Sequence, residues 1–184
     1  LFPLSDYSDC VESILFEGLA DKVLHQYLSA EPPGTILFTG GGIVPALLLD
    51  LKHLKFLHIH PGLLPDIRGA DCTLWSSLLT GHTSATCLYM STGIDTGDIV
   101  ESCWLPCVSF NVDITSIDLR SIYRGVYGFF DPWIRAFVLR RIVNKNTKFD
   151  TLVSISQLKK DGTTFHFMHP RLQHAAFQKL FKKR

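Results

Sequence analysis

Short β-favouring apolar runs that alternate with helically spaced segments predict an α/β domain, and three stretches carry that prediction. Residues 35–39 form an apolar, β-branched run that closes on Gly40-Gly41-Gly42, and 43–51 then continues at helical spacing, a strand–turn–helix unit. A second run, 55–60, stops at Pro61 and passes through the turn-rich stretch 62–69 into a helical segment at 70–79. Two further runs, 86–90 and 99–105, read as strands joined by the polar, glycine-containing loop 91–98.

The flanking segments complete the pattern. Residues 9–29 place Val11, Ile14, Leu15, Leu19, Val23, Leu24 and Tyr27 at near-helical spacing and end before Pro32-Pro33-Gly34, so a long helix is expected to feed the first strand. Helical spacing resumes at Ile117 and is expected to break at Asp131-Pro132, where the aspartate caps and the proline opens a second helix reaching about 143. The polar stretch 144–148 reads as a loop and 152–155 as one late strand. Over 170–184, Leu172, Ala176, Phe177, Leu180 and Phe181 share one face of a docked terminal helix. No internal repeat or low-complexity tract is present.

Composition narrows the function classes. A chain of 184 residues predicts one compact domain with a core over 1–110 and an extension over 111–184. Lys and Arg total 18 against 17 Asp and Glu, and 46% of residues are apolar, which excludes a disordered chain and a general polyanion-coating one. Five cysteines, odd in number and without a CxxC pair, argue against a disulfide scaffold or a zinc ribbon and for a reducing compartment, the cytoplasm. No run approaches the roughly 20 apolar residues of a membrane span. Leu1 opens the sequence and no basic-then-apolar leader follows, so the natural start is expected upstream.

The densest chemical signal is His58-Ile59-His60-Pro61. Alternate strand residues point to one side, so both imidazoles face one place, at the carboxyl end of a strand where α/β sheets bind ligands. The blander alternative is a pair of hydrogen-bonded core or rim histidines. The second signal is Gly93-Ile94-Asp95-Thr96-Gly97-Asp98-Ile99, by itself a tight turn. Laid over the histidine pair, it would let Asp95 orient an imidazole or raise its pKa for proton transfer. Gly40 to Pro45 fails the GxGxxG pattern at its third glycine and no P-loop lysine follows, so these glycines suit either a plain turn or close backbone approach to a flat ligand. The basic residues near the C-terminus, Lys159, Lys160, Arg171, Lys179, Lys182, Lys183 and Arg184, against Asp161 alone, form a solvated face or a small anion-attracting one.

The stretch FLHIHPGLLPDIRG at 56–69, followed by YMSTGIDTGDIV at 89–100, resembles the folate-dependent formyltransferase family over roughly 35–105. The resemblance implies a Rossmann-like formyltransferase domain with a mostly parallel sheet, short at its N-terminal side, plus a C-terminal helical extension. It also implies an enzyme using N10-formyltetrahydrofolate as formyl donor. The family's Asn-x-His pair and aspartate fall on His58, His60 and Asp95; His58 stands where the family has asparagine, an amide donor that an imidazole replaces only from a protonated ring nitrogen. The pterin would pack between Gly40, Gly41, Gly42, Ile43 and Val44 and the loop Ser91, Thr92, Gly93, Ile94, with Leu63, Leu64 and Arg68 shaping the substrate wall.

The acceptor implied is a small-molecule amine, an amino sugar on a nucleotide ahead of glycinamide ribonucleotide. A methionyl-tRNA enzyme would be expected to add a C-terminal barrel and a broad basic surface. No metal, nucleic acid or membrane is expected, and a homodimer is left open. Two alternatives come from other classes: a metal-dependent hydrolase ligated by His58, His60 and Asp95, and a non-catalytic folate- or nucleotide-binding relative.

Overall fold

A computed structural model describes residues 3–40, 42–106, 108–146, 149, 152–158 and 162–181. Gly41, Cys107, Lys159, Lys160, Asp161 and Lys182, Lys183 and Arg184 lie outside the described residues. The elements in order are α1 (Lys22–Ala30), β1 (Gly34–Phe38), α2 (Ala46–Leu49), β2 (Leu54–His60), β3 (Ile67–Gly69), α3 (Cys72–Thr80), β4 (Ser84–Tyr89), β5 (Ile99–Trp104), α4 (Leu119–Gly125), a π turn (Val126–Phe130), α5 (Asp131–Lys145), β6 (Thr163–Phe165) and α6 (Pro170–Leu180).

The main sheet has the order β1-β2-β4-β5. β1 is parallel to β2, and β4 is antiparallel to both β2 and β5, so β1, β2 and β5 all run one way. β3 and β6 form a separate parallel pair that lies outside this sheet. Alternation along β2 sorts two cores onto the two faces. Leu57 and Ile59 enter the larger one with Leu74, Ile134, Val138 and Phe177, whereas Leu54 and Phe56 enter a smaller one with Leu24, Val44 and Leu48. His58 and His60 therefore continue the face of the smaller core, as their spacing predicts.

Several elements depart from expectation. The helix expected over 9–29 exists only as α1: Val11 is 47% and Leu15 94% exposed, so the apolar face of the preceding residues is not buried, and Asp21 starts the helix by accepting from the Val23 amide at 2.8 Å. The helix over 43–51 shortens to α2, entered at Pro45. No break occurs at Asp131-Pro132, because the π turn carries α4 directly into α5 with Pro132 in its first turn. Nor does Asp131 cap: its carboxylate accepts from Thr73 Oγ1 at 2.6 Å and pairs with Arg135 at 2.8 Å. The late strand is a single bridge between Ile155 and Ile99. β3 lies in the stretch read as turn, since it is paired by residues almost a hundred positions away.

Asp71 ties the C-terminal part to the sheet. It sits at φ 54° before α3, is buried, and accepts from Tyr123 Oη at 2.6 Å and the Met168 amide at 2.8 Å. The Asp71→Ala substitution leaves the buried Met168 amide and the half-buried Tyr123 hydroxyl without this acceptor, so it is expected to lower stability by about 2 kcal/mol. Asp71→Asn keeps one acceptor and tolerates the left-handed backbone, and is expected to cost less. Urea midpoints at constant m-value check both.

Candidate active site

His60 is 2% exposed and both of its ring nitrogens are occupied. Nε2 lies 2.9 Å from the Ile67 carbonyl, which only accepts, so Nε2 carries a proton. Nδ1 faces Asp95 Oδ1 at 3.4 Å. One further proton placed across that gap turns two facing acceptors into a charge-assisted pair. Burial pushes the His60 imidazole below its ordinary value, and the Asp95 charge opposes that shift.

Two turns make this contact. The chain after β2 must double back for Ile67 to meet the ring, and a Cβ at Gly62 would meet His60 Nε2 at 2.6 Å, so only glycine fits beside it. The buried Thr86 hydroxyl secures the turn, donating to the Gly62 carbonyl at 2.7 Å and accepting from the Leu64 amide at 3.0 Å. The loop from β4 to β5 folds back across β2, with Asp95 at φ 53° and its Oδ2 accepting from the Gly69 amide at 2.9 Å. A Cβ on Gly97 would fall on the Tyr89 carbonyl, so this fold-back also requires glycine.

His58 differs from its neighbour in access. Half-buried, it donates from Nδ1 to the Phe38 carbonyl at 3.0 Å, and Nε2 makes no hydrogen bond among the described residues. The ring lines a small cavity of about 20 Å³ with Leu88, Met90, Gly93, Asp95 and Thr96. It also borders a cleft of about 350 Å³ towards Thr39, Pro132 and Arg135. The small cavity has room for about one water or a one-carbon unit. A larger cavity, about 620 Å³, lies apart between 108–117 and α4–α5, and among the described residues its lining carries no acidic or basic side chain.

His58, His60 and Asp95 thus come together, and the other expected site residues divide. Gly40, Gly42, Ile43, Ser91, Thr92, Gly93 and Ile94 are exposed, with Ile43 at 81%, while Val44 is turned into the smaller core at 4%. Leu63 is half-buried. Leu64 and Arg68, expected on a substrate wall, are each 3% exposed, and Arg68 Nη2 donates to Gln157 Oε1 at 3.0 Å. Sequence reasoning missed Gln157, which reaches the Asp95 loop from far along the chain; its segment carries no motif that could have found it.

Among the described residues no three His, Cys, Asp or Glu side chains are grouped to hold a metal ion, so His58, His60 and Asp95 do not form the ligand set of the hydrolase alternative. Cys10, Cys72, Cys87 and Cys103 are free thiols, and no described helix is long and apolar enough to cross a membrane.

Comparison with known proteins agrees with this architecture. The methionyl-tRNA formyltransferase of Syntrophus aciditrophicus is 37% identical over 86 residues, covering 45% of this chain and 27% of that protein. The enzyme of the same name from Carboxydothermus hydrogenoformans is 32% identical over 104 residues, covering 55% and 32%. The chain therefore spans about a third or less of the length of these curated relatives. A HypX variant from Aquifex aeolicus shares the fold with a TM-score of 0.52 at 19% identity, over 86% of this chain and 25% of that one. A sugar N-formyltransferase from Shewanella sp FDAARGOS_354 does so with a TM-score of 0.51 at 14% identity, over 88% and 65%. The family model described as Formyl transferase matches residues 17–115, more than half of the sequence, and the chain belongs to that family.

Proposed function

We propose that this chain carries the formyl-transfer site of a folate-dependent N-formyltransferase, moving the formyl group of N10-formyltetrahydrofolate to the amine of an amino sugar on a nucleotide. The observation that carries the reading is the convergence of His58 and the His60–Asp95 pair on a cavity sized for a one-carbon unit. That cavity is too small for a pteridine, so the donor's ring lies at its mouth, over the exposed residues of 91–94 and Ile43, with only the formyl carbon entering.

In this reading the neutral amine attacks the formyl carbon, a tetrahedral intermediate forms, the carbon–N10 bond breaks and N10 leaves carrying the proton the amine gives up. His60 is sealed from substrate, so it acts through Asp95, the pair receiving and returning that proton. His58 Nε2 is the ring atom free to meet the intermediate, donating to its oxygen when the ring is protonated. The name of the curated relatives makes methionyl-tRNA the other acceptor to consider. A net charge of +1 favours a small acceptor over a polyanion.

Release of tetrahydrofolate from N10-formyltetrahydrofolate, measured against nucleotide-linked amino sugars and methionyl-tRNA, tests the reading; turnover with an amino sugar is expected, and none with any amine would overturn it. Asp95→Ala is expected to lower kcat by about 10²- to 10⁴-fold in a folded protein, as removal of a general acid–base group does. His58→Ala is expected to cost about 10²- to 10³-fold, the loss of one oxyanion donor, whereas His58→Asn restores an amide donor and retains activity. A folded but inactive Asn variant would show that the ring's task is proton acceptance instead.

The His60 proton balance gives a test independent of turnover. Because burial holds the folded imidazole below its ordinary 6.5, the unfolded chain binds more protons just below that pH. Stability is therefore expected to fall as pH drops through 6.5, by at most about 1.4 kcal/mol per pH unit. The fall is expected to steepen in Asp95→Asn, which removes the charge favouring the protonated ring, and to flatten in His60→Asn. Urea denaturation between pH 7.5 and 5.5 reads both.

A further inference from the structure

We infer that Gln157, on the segment between α5 and β6, is a positioning residue that holds Asp95 against His60 by clamping the 95–97 backbone to buried Arg68. The inference rests on the formyl-transfer reading for its catalytic consequence, though not for its geometry.

Gln157 Oε1 accepts from Arg68 Nη2 at 3.0 Å, and Gln157 Nε2 donates to the Asp95 carbonyl at 3.1 Å and to the Gly97 carbonyl. A guanidinium only donates and a carbonyl only accepts, so the group between them must accept on one side and donate on the other. A primary amide does both; a carboxylate of the same length would set its charge against two carbonyl oxygens. The amide's orientation is fixed by its partners.

The clamp acts where the backbone needs it. Asp95 holds a left-handed conformation that a non-glycine residue keeps only when its surroundings impose it. Its carboxylate is fixed on one side by the Gly69 amide, and its peptide on the other by Gln157. The residues before Gln157 secure the same loop: Ile155 exchanges two backbone hydrogen bonds with Ile99, both 2.8 Å, and Ser156 Oγ donates to Asp98 Oδ1 at 3.0 Å. Three consecutive residues thus strap the loop, and only Gln157 reaches the residue that faces the imidazole. The gap between His60 Nδ1 and Asp95 Oδ1, 3.4 Å, lies at the outer limit of a shared proton, so outward movement of the loop breaks the pair.

Gln157→Met keeps length without hydrogen bonds, and Gln157→Asn keeps the amide but is too short to span Arg68 and the loop. In either variant kcat is expected to fall about 10- to 100-fold, the scale of a misplaced catalytic group, with KM for N10-formyltetrahydrofolate changed less than about threefold. The second readout is NMR titration of the His60 imidazole, on which Asp95, His58 and Asp131 are the charged groups acting. Its midpoint is expected to move down as the Asp95 charge withdraws, while Asp66→Ala, on an exposed residue outside the site, leaves it in place. An unchanged His60 midpoint in a folded Gln157→Met or Gln157→Asn protein overturns the inference, whatever happens to kcat. If the unaltered protein transfers no formyl group, the reading of its function falls, while the titration still decides the clamp.

Discussion

Enclosing an imidazole with both nitrogens satisfied is the constraint around which this fold is arranged. His60 is sealed at the end of β2, and a buried polar ring costs stability unless each nitrogen finds a partner. One partner is the Ile67 carbonyl and the other the Asp95 carboxylate, and neither lies on the sheet. The chain must therefore return twice to the same point, once through 61–67 and once through 89–99. Each return passes a glycine with no room for a side chain, Gly62 against the ring and Gly97 against the Tyr89 carbonyl. The loops that look like connections are the walls of the site.

The two histidines of one strand face show how environment divides identical side chains. His60, desolvated and paired with Asp95, is held below its ordinary value by burial and is almost wholly shut off from solvent. His58, two residues earlier, has Nδ1 committed to the Phe38 carbonyl and stays half-open beside the cavity. A ring fixed through one nitrogen has a defined orientation and a single nitrogen left for chemistry, which is what an asparagine amide would also provide at that place. In the formyl-transfer reading, an imidazole in place of the amide keeps a directed donor but makes it dependent on protonation.

Local pattern made the centre of this site legible. Strand alternation alone puts His58 and His60 on one side, and the Gly93–Gly97 turn motif marks a loop tight enough to fold back with an aspartate at its tip. What stayed hidden was tertiary. Arg68 stands beside the His-x-His-Pro stretch and reads as a wall residue, yet it is buried, with Gln157 arriving from almost ninety positions away to accept a hydrogen bond from it. β3 reads as turn because three residues ending in Gly69 carry no strand signal until β6 pairs with them. Residues 9–16 show helical spacing but find no surface on which to bury Val11 and Leu15, and amphipathic spacing without a partner face does not hold a helix.

The same long-range contacts decide what the C-terminal part does for the site. The larger core draws Leu57, Ile59 and Leu74 together with Ile134, Val138 and Phe177, so α5 and α6 are packed into the sheet that carries the histidines. Between those helices the chain also attaches at other points, among them the pairing of β6 with β3. Asp71 accepts the Met168 amide, Trp75 Nε1 donates to the His166 carbonyl at 2.9 Å, and the 155–157 segment straps the Asp95 loop. Of these only the last touches Asp95. Stability and positioning are therefore borne by different contacts of one extension: packing of α5 and α6 fixes the sheet, and a short strap between them fixes the carboxylate.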